Sequence, residues 1–255
     1  MYRPRLIPVL LLDKNGLYKS QQFKNHEYVG DPINAVKIFN DARIDELVVL
    51  DIHATKEGRC IDLEWVKKIA EEADMPLAIG GGITSVEQMK AMIEWGVEKV
   101  VLGTLPIVNP SEVRKAVEVL GSSSVVVCVD VKKNIHGEWE GFYKNGQISI
   151  GKEILTYLLE LQEMGVGEII IQDIDADGMQ CGYDIKLFSA LSQQLSVPVV
   201  ACGGAKSVQD MIGLYKKTNV SAMAAGSLFV HKGKWRAVLI NYPDEVIKSS
   251  FLSAE

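Results

Sequence analysis

Several aspartates lie at or just beyond the ends of short apolar segments, where a barrel or sheet would expose them: Asp51, Asp130, Asp173, Asp175 and Asp177. An aspartate beside a substrate acts as a general acid or base when its pKa suits the task. Asp130, which ends the apolar segment 124–130, is the first candidate for this role, with Asp51 and Asp177 as further candidates. Helix capping and turn formation are the alternative roles, since Asp-Gly pairs such as 177–178 are common in turns.

Two glycine clusters precede predicted helices in corresponding places. Glycine lets backbone N–H groups approach an anion closely, and a helix N-terminus adds a positive partial charge. A tight turn is the alternative for one cluster, but the recurrence favours two phosphate sites and a ligand that carries two phosphates. The predicted sites are Gly81, Gly82, Gly103 and Thr104 in the first half, and Gly203, Gly204, Gly226 and Ser227 in the second.

Four charged residues stand at the beginnings of predicted strands: Arg5, Glu46, Lys99 and Glu168. Side chains alternate along a strand, so each of the four points to the same side as the apolar residue two positions further on. The sequence therefore predicts a ring of alternating charge across one end of a barrel. From the residues alone we interpret this charged ring as a stabilising feature, because the N-terminal face of a barrel usually serves stability.

Eight short apolar segments alternate with eight segments of helical period. Strands are predicted at 6–12, 46–52, 76–79, 98–103, 124–131, 167–173, 198–202 and 220–226. Helices are predicted at 32–43, 62–73, 85–95, 110–120, 151–164, 184–195, 207–218 and 233–241. The strands are rich in Val, Ile and Leu, as strands covered on both faces should be. This alternation over 255 residues predicts one α/β domain, a closed (β/α)8 TIM barrel.

The chain also repeats internally at an offset of 122 residues, as the numbers of the matching motifs show (173 − 51 = 122). Three motifs recur at this spacing or within one residue of it, pairing 51–54 with 173–176, 85–86 with 207–208, and 103–105 with 226–228. The repeat predicts two homologous half-barrels, about 1–121 and 122–242, followed by a tail at 243–255. Two segments fall outside it: a long loop at 13–30 and a small hairpin with an Asn-Gly turn at 134–149.

Composition excludes several classes of protein. A net charge of −6 provides no basic surface for nucleic acid. No apolar run approaches the roughly 20 residues that span a bilayer, so no membrane contact is predicted. The first twelve residues are interpreted as a strand rather than a leader, because no small-residue cleavage site follows. The four cysteines form no C-x-x-C pair, which favours a reducing cytoplasm over zinc or disulfides.

Motifs for cofactors are missing from the sequence. The four histidines are scattered without metal spacing, and His53, beside Asp51, is only a minor candidate for chemistry. We find no Walker motif, nucleophile elbow or dinucleotide fingerprint. No metal and no cofactor are therefore predicted.

The order of the motifs resembles that of the cyclase subunit of imidazole glycerol phosphate synthase, over nearly all of the chain. The motifs are Ile7-Pro8, Asp51-Ile-His-Ala54, Gly80-Gly-Gly-Ile-Thr-Ser85, Asp130, Asp175-Ala-Asp-Gly178, Gly182-Tyr-Asp184 and Gly203-Gly-Ala205. The resemblance implies a two-half barrel, a bisphosphate substrate at its C-terminal mouth, and a glutaminase docked on the N-terminal face as a heterodimer. Ammonia from the glutaminase passes a charged gate in that family, and the gate positions fall on the charged ring.

The sequence departs from the family at the mouth. The family uses two opposed aspartates; Asp130 matches one of them, and Leu11 stands in place of the other. Leucine cannot transfer a proton, and one general acid or base contributes about 10²–10⁴-fold to a rate. Gly103 replaces an asparagine, and Ala201 or Cys202 replaces a serine. Lys19 matches the family and joins the candidate catalytic residues.

A retained gate with one lost acid resembles a paralogous subgroup associated with surface saccharides. In that subgroup a cyclase-like subunit is thought to supply ammonia for conversion of an acetamido to an acetamidino sugar, together with a sugar amidotransferase. We take this as the leading hypothesis, with little or no cyclase activity. The alternatives are an authentic cyclase of histidine biosynthesis and a non-catalytic activator of the glutaminase.

Overall fold

Eight parallel strands close into a barrel in a computed structural model, which describes residues 3–233 and 235–251. The strands are β1 (Arg5–Asp13), β2 (Gly16–Gln21), β3 (Lys24–Gly30), β4 (Leu47–Asp51), β5 (Leu77–Gly80), β6 (Lys99–Leu102), β7 (Val125–Lys133), β8 (Trp139–Tyr143), β9 (Ile148–Glu153), β10 (Glu168–Asp173), β11 (Val199–Cys202), β12 (Ala222–Ala225), β13 (His231–Lys232) and β14 (Ala237–Val238). Strands β1, β4–β7 and β10–β12 form the barrel, which is closed by the pairing of β10 with β7. The predicted TIM barrel and its eight strands are confirmed.

Helices connect the barrel strands on the outside. They are α1 (Pro32–Asp41), α2 (Leu63–Glu72), α3 (Val86–Glu94), α4 (Leu105–Val108), α5 (Pro110–Leu120), α6 (Ile154–Glu163), α7 (Ile185–Ser192), α8 (Val208–Lys217), α9 (Ser227–Val230) and α10 (Glu245–Ser249). Side-chain caps fix many of their beginnings: Asp31 accepts from the backbone of Asn34, and Ser85 forms a capping box with Gln88. Seven of the eight predicted helices are confirmed.

The predicted helix at 233–241 is wrong. The chain there forms a short antiparallel pair, β13 with β14, around a turn in which Gly233 and Arg236 have positive φ angles of 74° and 49°. Its apolar residues produced the helical period in the sequence, yet Trp235 is 89% exposed and Leu239 is 51% exposed. They therefore form no buried stripe that would stabilise a helix. Lys234 lies outside the described residues.

The predicted loop at 13–30 is also wrong, since it is an antiparallel hairpin that continues β1. Asp13 pairs with Gly16, and β2 then pairs with β3. Tyr18 and Tyr28 pack edge to face with ring centroids 5.6 Å apart, which stabilises the hairpin. The hairpin predicted at 134–149 is confirmed as β8 and β9, with Lys144 and Asn145 at positive φ in its turn.

Apolar side chains fill two separate layers. The larger cluster lies between the barrel and its helices and includes Leu6, Phe39, Phe188 and Phe229. The smaller one occupies the barrel interior, with Ile7, Val48, Val101, Val126 and Ile170 among its members. Within the described part of the chain no helix has both the length and the apolar character that crossing a membrane requires.

Candidate active site

A cavity of about 520 Å³ occupies the C-terminal mouth of the barrel. Its walls come from the carboxyl ends of the strands and from the two hairpins, β2–β3 and β8–β9. The predicted site residues that line it are Lys19, Asp51, Asp130, Asp177, Gly81, Gly82, Gly103, Thr104, Gly226 and Ser227. The fold thus brings together ten of the residues predicted from widely separated segments, at the face where barrel enzymes place their chemistry.

Asp130 is the acid best suited to proton transfer. It lies on β7, and its side chain points into the mouth with the even-numbered interior residues Val126 and Cys128. Burial raises the pKa of Asp130 to about 7, aided by the charge of Asp177 and opposed by the backbone N–H of Gly146. A carboxyl group with a pKa near neutrality can both accept and donate a proton at physiological pH.

Lys19 and Asp177 form a second polar group in the cavity wall. The Lys19 amine is almost wholly buried and donates to the backbone carbonyl of Val9. Burial lowers its pKa to about 8, although Asp177 acts in the other direction. Burial likewise raises the pKa of Asp177, although Lys19 lowers it, and the carboxylate accepts from Ser20 Oγ at 3.3 Å and Gln172 Nε2 at 3.2 Å.

Asp51 has a mainly structural position. Arg59 Nη1 donates to its Oδ2 at 2.6 Å, while the backbone N–H groups of His53 and Ala54 donate to Oδ1 at 3.0 and 2.9 Å. Both carboxylate oxygens are therefore engaged, which ties the β4–α2 loop to the strand end. Asp51 lines the cavity, but its hydrogen bonds leave it poorly placed to exchange a proton.

Asp173 and Asp175, the other two aspartates predicted at strand ends, also organise loops. Asp173 accepts from the backbone of Ala176 at 3.3 Å, and burial raises its pKa to about 6. Asp175 accepts from the backbone N–H of Lys133 at 2.9 Å. Neither residue lines the main cavity. Asp173 lies against Gly203 as Asp51 lies against Gly81.

The glycine clusters lie in matching conformations on the two sides of the mouth. Gly81 and Gly203 have φ angles of 134° and 98°, which favour glycine. An added Cβ at Gly81 would meet the backbone nitrogen of Asp51 at 3.0 Å, and one at Gly203 would meet the carbonyl of Asp173 at 2.4 Å. The close approach of backbone to backbone at both sites explains why no larger residue stands there.

The first predicted phosphate site opens directly into the cavity. Gly103 has free space around it, since an added Cβ would come no nearer than 3.9 Å to another residue, Cys128. Thr104 precedes α4, and its hydroxyl makes no capping hydrogen bond to that helix. The Thr104 hydroxyl is therefore available to a ligand, whereas the backbone N–H groups of Thr84 and Ser85 already donate to Gln88 Oε1 at 2.8 and 3.3 Å.

The second predicted site forms a small pocket beside the cavity, lined by Gly203, Gly204, Gly226 and Ser227. It shares Asp177 and Cys202 with the main cavity. An added Cβ at Gly226 would lie 2.5 Å from Lys19 Nζ, so the buried amine sits directly against this pocket. A cation at this distance complements an anionic ligand.

The charged ring lies at the N-terminal end of the barrel, opposite the cavity. Lys99 Nζ lies 2.8 Å from Glu46 Oε2 and 3.0 Å from Glu168 Oε2, and Arg5 pairs with the same two carboxylates. Both glutamates are buried, and the ring is followed inward by an apolar layer that includes Ile7 and Val101. The predicted alternation of charge is therefore present around the N-terminal end.

Several cavity residues were not recognised in the sequence. Gln172 lies two residues beyond Ile170 on β10, so strand alternation alone could have placed it in the mouth. The Asn145–Gly146 turn reaches the mouth only because the β8–β9 hairpin folds over it: Asn145 Nδ2 donates to the carbonyl of Ile52. No spacing in the sequence indicates that contact. Among residues 3–233 and 235–251, no cluster of His, Cys, Asp and Glu could hold a metal ion.

These features define a (β/α)8 barrel with a polar cavity at its C-terminal mouth, two glycine-rich loops beside it and a charged ring at the opposite face. The chain belongs to the histidine biosynthesis protein family (His_biosynth), whose profile matches residues 5–236.

Similar proteins share almost its whole length. A Pseudomonas aeruginosa protein provisionally named imidazole glycerol phosphate synthase subunit hisF2 is 45% identical over 96% of this chain and 97% of its own length. A Vibrio vulnificus protein provisionally named subunit hisF3 is 43% identical over 99% of this chain and 97% of its own. Imidazole glycerol phosphate synthase subunit HisF of Streptococcus sanguinis is 38% identical over 92% of each chain.

Proposed function

We propose that this chain is the synthase subunit of a glutamine amidotransferase pair, with weakened or absent cyclase activity. A glutaminase docks at the N-terminal face, ammonia passes the charged ring and the barrel, and a phosphorylated ligand receives it at the mouth. The acceptor chemistry is sugar amidation, from acetamido to acetamidino, in surface polysaccharide biosynthesis, with a sugar amidotransferase as a further partner. The observation that carries this proposal is Leu11 in the cavity wall together with an intact charged ring.

Leu11 and the charged ring both support a synthase subunit with weakened cyclase activity. Leu11 and Asp130 both line the mouth, so only one of the two acid positions of an acid–base pair holds an acid. The charged ring has all four side chains and all four ion pairs, which supports a gate for ammonia at that face. The higher identity to relatives named hisF2 and hisF3 than to the Streptococcus relative adds support.

A direct cyclisation assay tests the proposal. The purified chain receives excess ammonium and the bisphosphate intermediate of histidine biosynthesis, and formation of imidazole glycerol phosphate is followed. We expect a rate at least about 100-fold below that of an authentic cyclase subunit measured in parallel. A rate near that of the authentic subunit would overturn the proposal.

An authentic cyclase of histidine biosynthesis is the second candidate. It is favoured by the family assignment and by Asp177, which lies in the same cavity as Asp130 and has a raised pKa because of burial. In that case Asp177 would share the acid–base chemistry. Rescue of a histidine-requiring strain that lacks its own cyclase would support this candidate, and an Asp177→Asn variant should then fail to rescue.

A further inference from the structure

An aspartate–histidine pair lies on the side of the mouth from which the acid at position 11 is missing. Asp13 stands two residues beyond Leu11 on β1, so its side chain leaves the strand on the same side. Asp13 Oδ2 lies 3.6 Å from Nε2 of His53, which follows the end of β4. His53 lines the main cavity.

Residues from three separate elements lie next to His53. Its backbone N–H donates to Asp51 Oδ1 at 3.0 Å, which fixes the start of the loop. Asp13 approaches Nε2 from β1, and the His26 ring from β3 lies 5.6 Å away, centroid to centroid. Because Asp13 lies beside Nε2, Nδ1 is the ring nitrogen that remains for contact with a ligand in the cavity.

A hairpin turn connects the His53 segment with Asp130. Asn145 donates to the carbonyl of Ile52, the residue before His53, and the backbone N–H of the next residue, Gly146, bonds to the Asp130 carboxylate. Two adjacent residues thus contact both segments. The imidazole and the Asp130 carboxylate therefore belong to the lining of one cavity.

We propose that His53 is an acid–base residue that contacts the ligand, with Asp13 as its positioning residue, and that this pair takes the place of the missing acid at position 11. The proposal rests on the proposed function, for which it supplies the second proton-transfer group. Histidine suits the role because its charge changes readily near neutral pH.

The proton balance is simple. When ammonia adds to an electrophilic carbon of the ligand, a C–N bond forms and the nitrogen becomes positively charged. At a carbonyl carbon the C=O π bond breaks as the C–N bond forms, and the oxygen takes the electron pair. The neutral imidazole accepts one proton from the nitrogen and, as imidazolium, gives it to that oxygen, which becomes a hydroxyl group. A second transfer of the same kind lets the hydroxyl group leave as water while the C=N bond forms. No redox partner and no net proton are required.

The neighbouring charged groups set the conditions for the test. Asp13 from β1, His26 from β3 and Glu57 from the same loop act on the ring, and Lys14 acts on Glu57. Glu57 also accepts from Arg59 Nε at 2.7 Å, so its charge is largely paired. Asp13 is the carboxylate that approaches the ring most directly, and it is the one to replace.

Nitrogen-15 NMR of the histidine side chains tests the proposal on the intact chain. Spectra are recorded from pH 5.5 to 8.5 with and without imidazole glycerol phosphate, for the wild type, Asp13→Asn, His53→Gln and His136→Gln. His136 is an exposed histidine of the β7–β8 turn and serves as the matched control. We expect the ligand to move the His53 signals, Asp13→Asn to change the Nε2 to Nδ1 tautomer ratio of His53, and the His136 signals to stay in place.

Ammonium-driven formation of imidazole glycerol phosphate is followed in the same preparations. His53→Gln should lower the residual rate about 100-fold, while His136→Gln leaves it unchanged. A ligand that shifts the Thr104 amide but leaves the His53 signals unmoved would overturn this inference alone, as would an unchanged rate in His53→Gln. A ligand that shifts no signal at the mouth would overturn the phosphorylated ligand of the proposed function and this inference with it.

Discussion

Leu11 and Asp130 line one cavity from opposite walls of the barrel, since their strands β1 and β7 lie four positions apart in either direction around it. Leu11, like Leu50 and Cys128, packs against the interior apolar cluster. On the opposite wall, burial raises the pKa of Asp130 to about 7. Of these two facing positions, only position 130 carries an acid.

The raised pKa of Asp130 predicts a pH-dependent cost to stability. Its pKa in the folded chain is about 7, above the ordinary value near 4, so the folded state binds more protons between these limits. Stability is therefore lost as the pH rises from 4 through 7, and the loss is complete above 7. Asp130→Asn should raise the free energy of unfolding at pH 8 by about 2–3 kcal/mol more than at pH 5.

Urea unfolding at the two pH values measures this difference. Asp41→Asn, at the end of α1 on the surface, is the matched control and should show no such dependence. If Asp130→Asn raised the free energy of unfolding equally at pH 5 and pH 8, the result would contradict the raised pKa of Asp130.

The sequence predicted the barrel well because its signals are local. Each strand is a short apolar run, and each helix has a cap and a period, so element bounds agree within a few residues. The charged ring and the glycine loops followed from strand alternation and from the repeat. These inferences needed no knowledge of contacts between distant segments.

The errors and omissions have a different origin. The helix predicted at 233–241 failed because apolar residues at helical spacing, Trp235 and Leu239 among them, remain exposed. The sequence placed Asp51 among the acids but could not show that Arg59 engages it. The contact of His53 with Asp13 joins two loops 40 residues apart (53 − 13 = 40), which no local pattern reveals.

Lys19 should contribute to anion binding only while it is charged. Its amine borders the second glycine pocket, and burial lowers its pKa to about 8. Lys19→Met should therefore weaken binding of imidazole glycerol phosphate about tenfold or more at pH 7, the effect of one charge-assisted hydrogen bond. The difference from the wild type should shrink above pH 8, as the wild-type amine loses its proton.

Isothermal titration calorimetry at pH 7 and pH 9 checks this expectation. Lys24→Met, an exposed lysine of the same hairpin, controls for the change in net charge. Two results would exclude a direct role of the buried amine. One is that Lys19→Met and Lys24→Met weaken ligand binding equally. The other is that the loss of affinity in Lys19→Met relative to the wild type grows with pH.

The charged ring predicts a stability effect at the other end of the barrel. Lys99 contacts both Glu46 and Glu168, and its removal leaves two buried carboxylates with Arg5 alone. Removal of one partner from a buried ion pair leaves a buried charge without full compensation, which destabilises the fold. Lys99→Met should therefore lower the free energy of unfolding by about 2–3 kcal/mol. Chemical denaturation measures the change, with Lys90→Met on the surface of α3 as control. An equally small effect of the two substitutions would show that the ring contributes little to the fold.

Restoring the acid at position 11 is the most direct experiment on the mouth. Leu11→Asp places a carboxylate opposite Asp130, and Gly103→Asn adds the amide that the family resemblance implies before Thr104. The space around Gly103 accommodates the larger side chain, because the nearest atom to an added Cβ is 3.9 Å away. We expect the double variant to raise the ammonium-driven rate of cyclisation by about 10²-fold or more, the contribution of one general acid or base.

The control for this gain is the isosteric pair Leu11→Asn with Gly103→Asn, which has the same shape and polarity but no titratable group at position 11. Its rate should stay at the wild-type level, and both double variants should lose similar stability, because each replaces a leucine that packs against the interior apolar cluster. If the asparagine and aspartate variants gained activity equally, the shape of Leu11, and not its lack of a titratable group, would be what limits the rate of cyclisation. If the aspartate variant alone gained, the missing proton-transfer group would be the reason that this barrel cyclises poorly.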